Sequence, residues 1–152
     1  MANLITIIAA ALLAFAQCAL AAEPRVITLS CNGTITDKTT NTPLPADHQP
    51  KPVEMGVVVN LDEQTVSFEG YVVPINSVDA AIITFGGEQV GPIAQLARSQ
   101  GYRQVIRGSL DRVTGHMDAN TNQYPTKQPY DPNTIVVSDQ FDVVCKAAKP
   151  VF

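Results

Sequence analysis

Histidine occurs only twice in the 152 residues, at His48 and His116, and cysteine three times, at Cys18, Cys31 and Cys145. A zinc site draws three or four ligands at recognisable spacing, and no such spacing is present. Basic runs are missing as well. Ten Lys and Arg against fourteen Asp and Glu leave a net charge of −4, and the cations are scattered. A nucleic-acid surface or a patch for anionic membrane lipid needs clustered Lys and Arg, so both are excluded as partners. Gly86, Gly87 and Gly91 lack the spacing of a phosphate loop, and no P-loop lysine comes after them. No nucleophile elbow is present either. Ser109, His116 and Asp118 can be drawn as a triad, but without oxyanion-hole glycines they read as an exposed cross-strand polar group. The chain therefore offers no catalytic residues, no cofactor site and no metal site, and it reads as a non-enzyme.

Charge is absent altogether from the first 22 side chains. An apolar run from Leu4 to Ala16 leads into Ala19-Leu20-Ala21, the small-x-small pattern of a secretory cleavage site. Residues 1–22 are expected to be a signal peptide removed after Ala21 or Ala22. Cys18 is preceded by Gln17 where a lipobox needs a small residue, which argues against a lipid anchor. The mature chain, residues 23–152, is long enough for one domain with a real core and too short for two. Cys31 and Cys145 are an even pair in an oxidising compartment and read as one disulfide. Closing a loop of more than 100 residues is worth about 4–5 kcal/mol in the chain-entropy description. Redox activity would call for a close Cys-x-x-Cys, which is lacking.

Alternation is the pattern that is present. Ile27, Leu29, Cys31, Gly33 and Ile35 alternate with Thr28, Ser30, Asn32 and Thr34, which predicts a half-buried strand with Cys31 inward. Two stretches share Leu-Asp-x-x-Thr, Val57–Phe68 and Ile106–Met117. Each reads as a hairpin with a four-residue loop on a type I turn, capped by Asp62 or Asp111. The expected registers pair Leu61 with Val66, Leu110 with Gly115 and Gly108 with Met117. A strand is expected over Thr65–Val73, a turn at Asn76–Asp79, and a further strand over Ala80–Phe85 stopping at Gly86-Gly87. Pro92–Gly101 carries the single helical signature, with Pro at N1 and Gly101 past the end. The last strand is expected within Thr134–Lys146, with Phe141, Val143 and Cys145 inward. Residues 37–52 and 120–133 read as mobile polar loops. The sum is an all-β domain of six to eight antiparallel strands. First and last strands side by side would close a small barrel, and on facing sheets they would make a sandwich; the barrel is preferred.

Gly108-Ser109-Leu110-Asp111-Arg112-Val113-Thr114-Gly115, the late Cys145-Lys146 and the terminal Val151-Phe152 resemble a recurring ending. It is similar to that of small, exported, uncharacterised proteins of soil- and plant-associated alphaproteobacteria, and the Val57–Phe68 hairpin fits the same group. The resemblance implies a periplasmic or secreted setting and brings no assigned activity. The expected function is a non-catalytic β module that binds an unknown protein or small ligand, or has a structural role in the envelope. Tyr124 and Tyr130 are its candidate contact surface, since exposed Tyr binds efficiently. The alternatives are a carrier with a barrel cavity, where Gly108 and Gly115 leave space, and a periplasmic enzyme inhibitor. No membrane contact is expected after cleavage.

Overall fold

The computed structural model describes residues 25–39, 48–126 and 135–148. The signal peptide expected over residues 1–22, and Tyr130, lie outside them. Eight strands and one helix run in order: β1 Val26–Asp37, β2 Lys51–Asn60, β3 Thr65–Phe68, β4 Tyr71–Val78, β5 Ile82–Glu88, α1 Pro92–Ser99, β6 Tyr102–Asp111, β7 His116–Pro125 and β8 Val137–Ala147. Each strand pairs antiparallel with the next, and β8 returns to β1, so the sheet is a closed barrel. Cys31 stands directly opposite Cys145 across that last pairing, with Cα atoms 4.0 Å apart and sulfurs at disulfide distance.

Period-two patterning turns the apolar half of each strand inward. Cys31, Val57, Val59, Val66, Phe68, Ile83, Phe85, Ile106, Met117, Phe141 and Val143 are all at most 2% exposed. Asn32, Glu54, Asp142 and Lys146 point outward and are exposed. That sense, carbon inside and polar outside, is the reverse of a membrane-spanning barrel. Phe68 holds the centre, with Tyr71, Phe85 and Phe141 around it at centroid distances of 5.5, 6.0 and 5.6 Å. Tilted and edge-on ring pairs of this kind are favourable beyond the area they bury.

Several expectations are corrected. Val59, not Leu61, pairs with Val66; Leu110 pairs with Met117 and Gly108 with Ala119. Both registers differ by two residues, so parity, and with it the inward set, is kept. Thr65–Val73 is two strands, because Glu69 (φ 46°) and Gly70 (φ 80°) make a two-residue turn with positive φ at both positions, the type I′ geometry that suits strand twist. β4 then runs on to Val78 through Pro74, which is tolerated because Thr65–Pro74 is the last pair of the short β3 ladder. β5 continues to Glu88, past the two glycines. β7 continues to Pro125, so residues 120–125 are strand and not loop. The helix forms as expected, with Gly101 at φ 89° beyond its Gln100 cap, but Ile93 and Leu96 stay about half exposed and Ala94 is the buried residue.

Gly108 does not leave a void. A Cβ there would stand 2.5 Å from the Phe85 ring and 2.7 Å from the Asp118 carbonyl oxygen, so the ring occupies the space. Gly108→Ala is therefore expected to lower stability by about 1–3 kcal/mol in urea unfolding; no change would mean the ring has room to move. Reducing the Cys31–Cys145 bond should lower stability by about 2–4 kcal/mol on the same measurement.

Candidate functional site

Strand direction sorts the connections to two ends. The β3–β4 and β5–β6 links and α1 lie at one end, where β1 and β7 finish and β2 and β8 begin. The β2–β3, β4–β5 and β6–β7 turns lie at the other, with the start of β1 and the finish of β8. These two ends have different chemistry.

At the turn end, three short side chains cap three loops. Asn60 Oδ1 accepts from the amides of Asp62 and Glu63 (3.0 and 3.1 Å), Asp79 Oδ1 from Ala81 and Ile82 (2.8 and 2.7 Å), and Asp111 Oδ1 from Val113 and Thr114 (2.8 and 2.9 Å). Capping by Asp111 is as expected. In the first hairpin Asn60 takes the role assigned to Asp62, which pairs instead with Arg25. The two loops are thus equivalent two residues out of step with the shared Leu-Asp-x-x-Thr: Leu61–Gln64 matches Arg112–Gly115, each ending at positive φ (53° and 76°). Gly115 is fixed by that φ and by the Cys145 carbonyl oxygen packed where a Cβ would sit, so it too makes no cavity. The amides of Thr114 and Val113 hold the Asp111 carboxyl below its usual range, and those of Ile82 and Ala81 do the same for Asp79.

Between these turns the barrel opens into a recess of about 350 Å³. Ile83, Leu110 and Cys145, at most 5% exposed, form its floor, and half-buried Ile27 and Leu29 form a wall. The Asp111–Gly115 turn and Lys146-Ala147 make the rim. Arg112 donates from Nη1 to the Asp79 carbonyl oxygen (2.7 Å) and from its amide to the Ala81 carbonyl oxygen (2.6 Å), tying two turns together.

The helix end is polar inside. Asp37 and Asp139 face each other across the β1–β8 seam, and Asp139 stands opposite Thr121. Burial, and then the Asp37 charge, push the Asp139 carboxyl up. Asp37 is held down, first by the Thr39 hydroxyl and then by its amide. His48 Nδ1 donates to the Asp37 carbonyl oxygen (2.8 Å). Tyr71 is pushed up by burial and by Asp139. The side-chain oxygens of Gln89 and Gln104 are buried with no donor among the described residues. Phe68 and its ring neighbours separate this polar layer from the recess.

The remaining candidates do not converge. Tyr124 lies in β7 under the Arg103 guanidinium, 4.6 Å from its ring centroid, so it belongs to the sheet surface. Ser109 stands opposite Asp118, while His116, two residues before Asp118 on β7, donates from Nε2 to Asp142 (2.9 Å). The imidazole thus serves an outward-facing carboxylate. No group of three or more potential metal ligands stands together among the described residues. No described helix is long and apolar enough to cross a membrane. No family model matches the chain, and no curated protein or solved structure matches it significantly.

The recess escaped sequence reading because its lining comes from separate strands and a turn that are distant in the chain. Its one sequence signal was the run of inward aliphatic residues at strand ends, Ile27, Leu29 and Leu110.

Asp139 supplies a pH test. A carboxyl raised in the folded state contributes most below the ordinary carboxylate range, and that contribution is lost as pH rises through the raised value. Asp37 has the opposite sign, its contribution being lost as pH falls through its lowered value. Asp139→Asn should therefore raise the urea midpoint at about pH 7 and leave it close to the parent at about pH 3, where both side chains are neutral. An equal shift at both pH values would show that charge is not the cause.

Proposed function

We propose that this protein is a non-catalytic, exported β-barrel module that binds a small apolar ligand in the open mouth at its turn end. One observation carries the reading: the barrel is filled at its centre and open at one end, where an aliphatic recess of about 350 Å³ reaches solvent. That volume falls within the roughly 300–1,000 Å³ of small-molecule sites. Eight-stranded barrels are also of the size that holds a single small ligand. The ligand would occupy the mouth rather than a central cavity, because Phe85 and the rings around Phe68 fill the middle.

Export is supported by the uncharged apolar N-terminus, by the paired cysteines and by the resemblance to small exported proteins. A non-catalytic role is supported by the commitment of the His116 imidazole to Asp142 and of the Asp79 and Asp111 carboxylates to turn amides.

Titration of the purified, disulfide-bonded protein with N-phenyl-1-naphthylamine, a neutral apolar probe, should show saturable binding near one site per chain. Ile27→Glu and, separately, Leu29→Glu place a charge on the wall and should weaken uptake by about tenfold or more. Their circular dichroism should remain that of the parent. Linear, unsaturable uptake by the parent protein would remove the proposal.

A further inference from the structure

We infer that the mouth is the entry route to the Cys31–Cys145 disulfide, so that a bound ligand shields the bond and an empty barrel is open to reduction by a dithiol. This rests on the mouth being a ligand site, and it adds the regulation of that site.

The two cysteines are unequally placed. Cys31 is 0% exposed, whereas Cys145 is 5% exposed and forms part of the recess floor. Both side chains point into the barrel, so the sheet itself covers them from outside. Deeper in, Met55 opposite Cys31 and the Met117–Val143 pair beyond Cys145 are at most 6% exposed. Among the described residues, the recess is therefore the way from solvent to this bond. Access of this kind decides whether a buried sulfur reacts. A recess of about 350 Å³ has room for a small thiol.

The chemistry is thiol–disulfide exchange. A thiolate of the dithiol attacks Cys145 Sγ and forms a mixed disulfide there, while the S–S electron pair leaves on Cys31 Sγ, which takes up a proton. The second thiolate of the reductant then attacks the first reductant sulfur, and Cys145 leaves as its thiolate. The protein gains two electrons and two protons, and the dithiol ends as a cyclic disulfide. Displacement at sulfur proceeds in line, so the first thiolate comes from the side of Cys145 away from Cys31. β1 flanks β8 on one side and β7 on the other, and the Asp111–Gly115 turn leading into β7 lines the recess there. Gly115 holds that turn against β8, its carbonyl oxygen accepting from the Cys145 amide (2.8 Å).

A ligand on the floor of Ile83, Leu110 and Cys145 fills the space that the incoming thiolate needs. Occupancy and attack exclude each other, and the rate of reduction follows the fraction of empty barrels. Cleavage also acts at this end of the barrel. Two seam pairs, Ser30–Lys146 and Leu29–Ala147, lie between the disulfide and the mouth. Once the bond is cut, the stretch of seam that carries the Leu29 wall loses its covalent tie.

Reduction of the purified, disulfide-bonded protein by dithiothreitol is followed by trapping free thiols with iodoacetamide and counting them by mass spectrometry. N-phenyl-1-naphthylamine at about ten times its Kd should slow the reaction about tenfold, as the empty fraction falls. Ala147→Phe, which sets a ring at the recess edge two residues beyond Cys145, should slow the ligand-free reaction. Global unfolding would also be slowed by a bound ligand, and dilute urea separates the two routes. Attack through the mouth should change less than about twofold in about 1 M urea, whereas attack on the unfolded chain should speed up about fivefold or more. A rate unchanged by bound probe or by Ala147→Phe, or one that rises with urea in step with unfolding, would overturn the entry route while the bound probe keeps the mouth as a site. Failure of the probe to bind at all would remove both the site and its regulation.

Discussion

The pairing of β1 with β8 is the constraint on which this structure depends. A meander of eight strands can stop as an open sheet with two unsatisfied edges, which invites edge-to-edge association. Here nine residue pairs, from Leu29–Ala147 to Asp37–Asp139, close those edges on each other. The approach is close enough that a Cβ on Gly33 would meet the Asp142 carbonyl oxygen and lie 2.6 Å from Val143 Cα. The Cys31–Cys145 pair then joins the ends of a chain that must span 114 residues before its first and last strands meet. Such long-range closure is entropically late, and the covalent link lowers the entropy of the unfolded chain against which it competes.

The seam also carries both ends of the interior. At one finish stand Asp37 and Asp139, and at the other Leu29 opposite Ala147, on the wall of the mouth. Between them the rings about Phe68 fill the barrel from side to side. This division explains how one narrow barrel keeps a half-buried carboxylate and an aliphatic recess a few residues apart. The aromatic rings about Phe68 pack between them. Gly108 belongs to that layer: by having no side chain it admits the Phe85 ring, and the central volume is closed rather than opened.

Face was legible in the sequence, and register was not. Alternation in Ile27–Ile35 and Val57–Leu61 placed each inward side chain correctly, because a half-buried strand tolerates only one phase. A slip of two residues keeps that phase, so the apolar pattern could not separate Val59–Val66 from Leu61–Val66. The turns decide between them, and the shared Leu-Asp-x-x-Thr misled because the capping side chain comes two residues earlier in the first copy, from Asn60. Glu69-Gly70 was missed as a turn because the apolar run continues on both sides of it. The end of β7 was missed for the opposite reason. Its inward positions are Thr121 and Gln123, polar residues that match the polar chamber they face and carry no hydrophobic signal. The disulfide was legible from cysteine arithmetic, whereas the mouth exists only once β1, β5, β6 and β8 are brought together.

An aliphatic mouth open to water is unfavourable by about 25 cal/mol for each Å² left uncovered, and side chains larger than Ile27 or Leu29 would shrink it. Collapse of the turns onto the floor would cover it too, but the turns are held. Asn60, Asp79 and Asp111 fix the loops from within, and Arg112 bonds the β6–β7 turn to both carbonyls of the β4–β5 turn that it reaches, Asp79 and Ala81. Local hydrogen bonding thus keeps open a surface that hydrophobic burial would close. Departures from the consistency of sequence and fold gather where a protein works. A ligand of matching chemistry would cover the exposed carbon without moving the rim, so binding would need little rearrangement of the barrel.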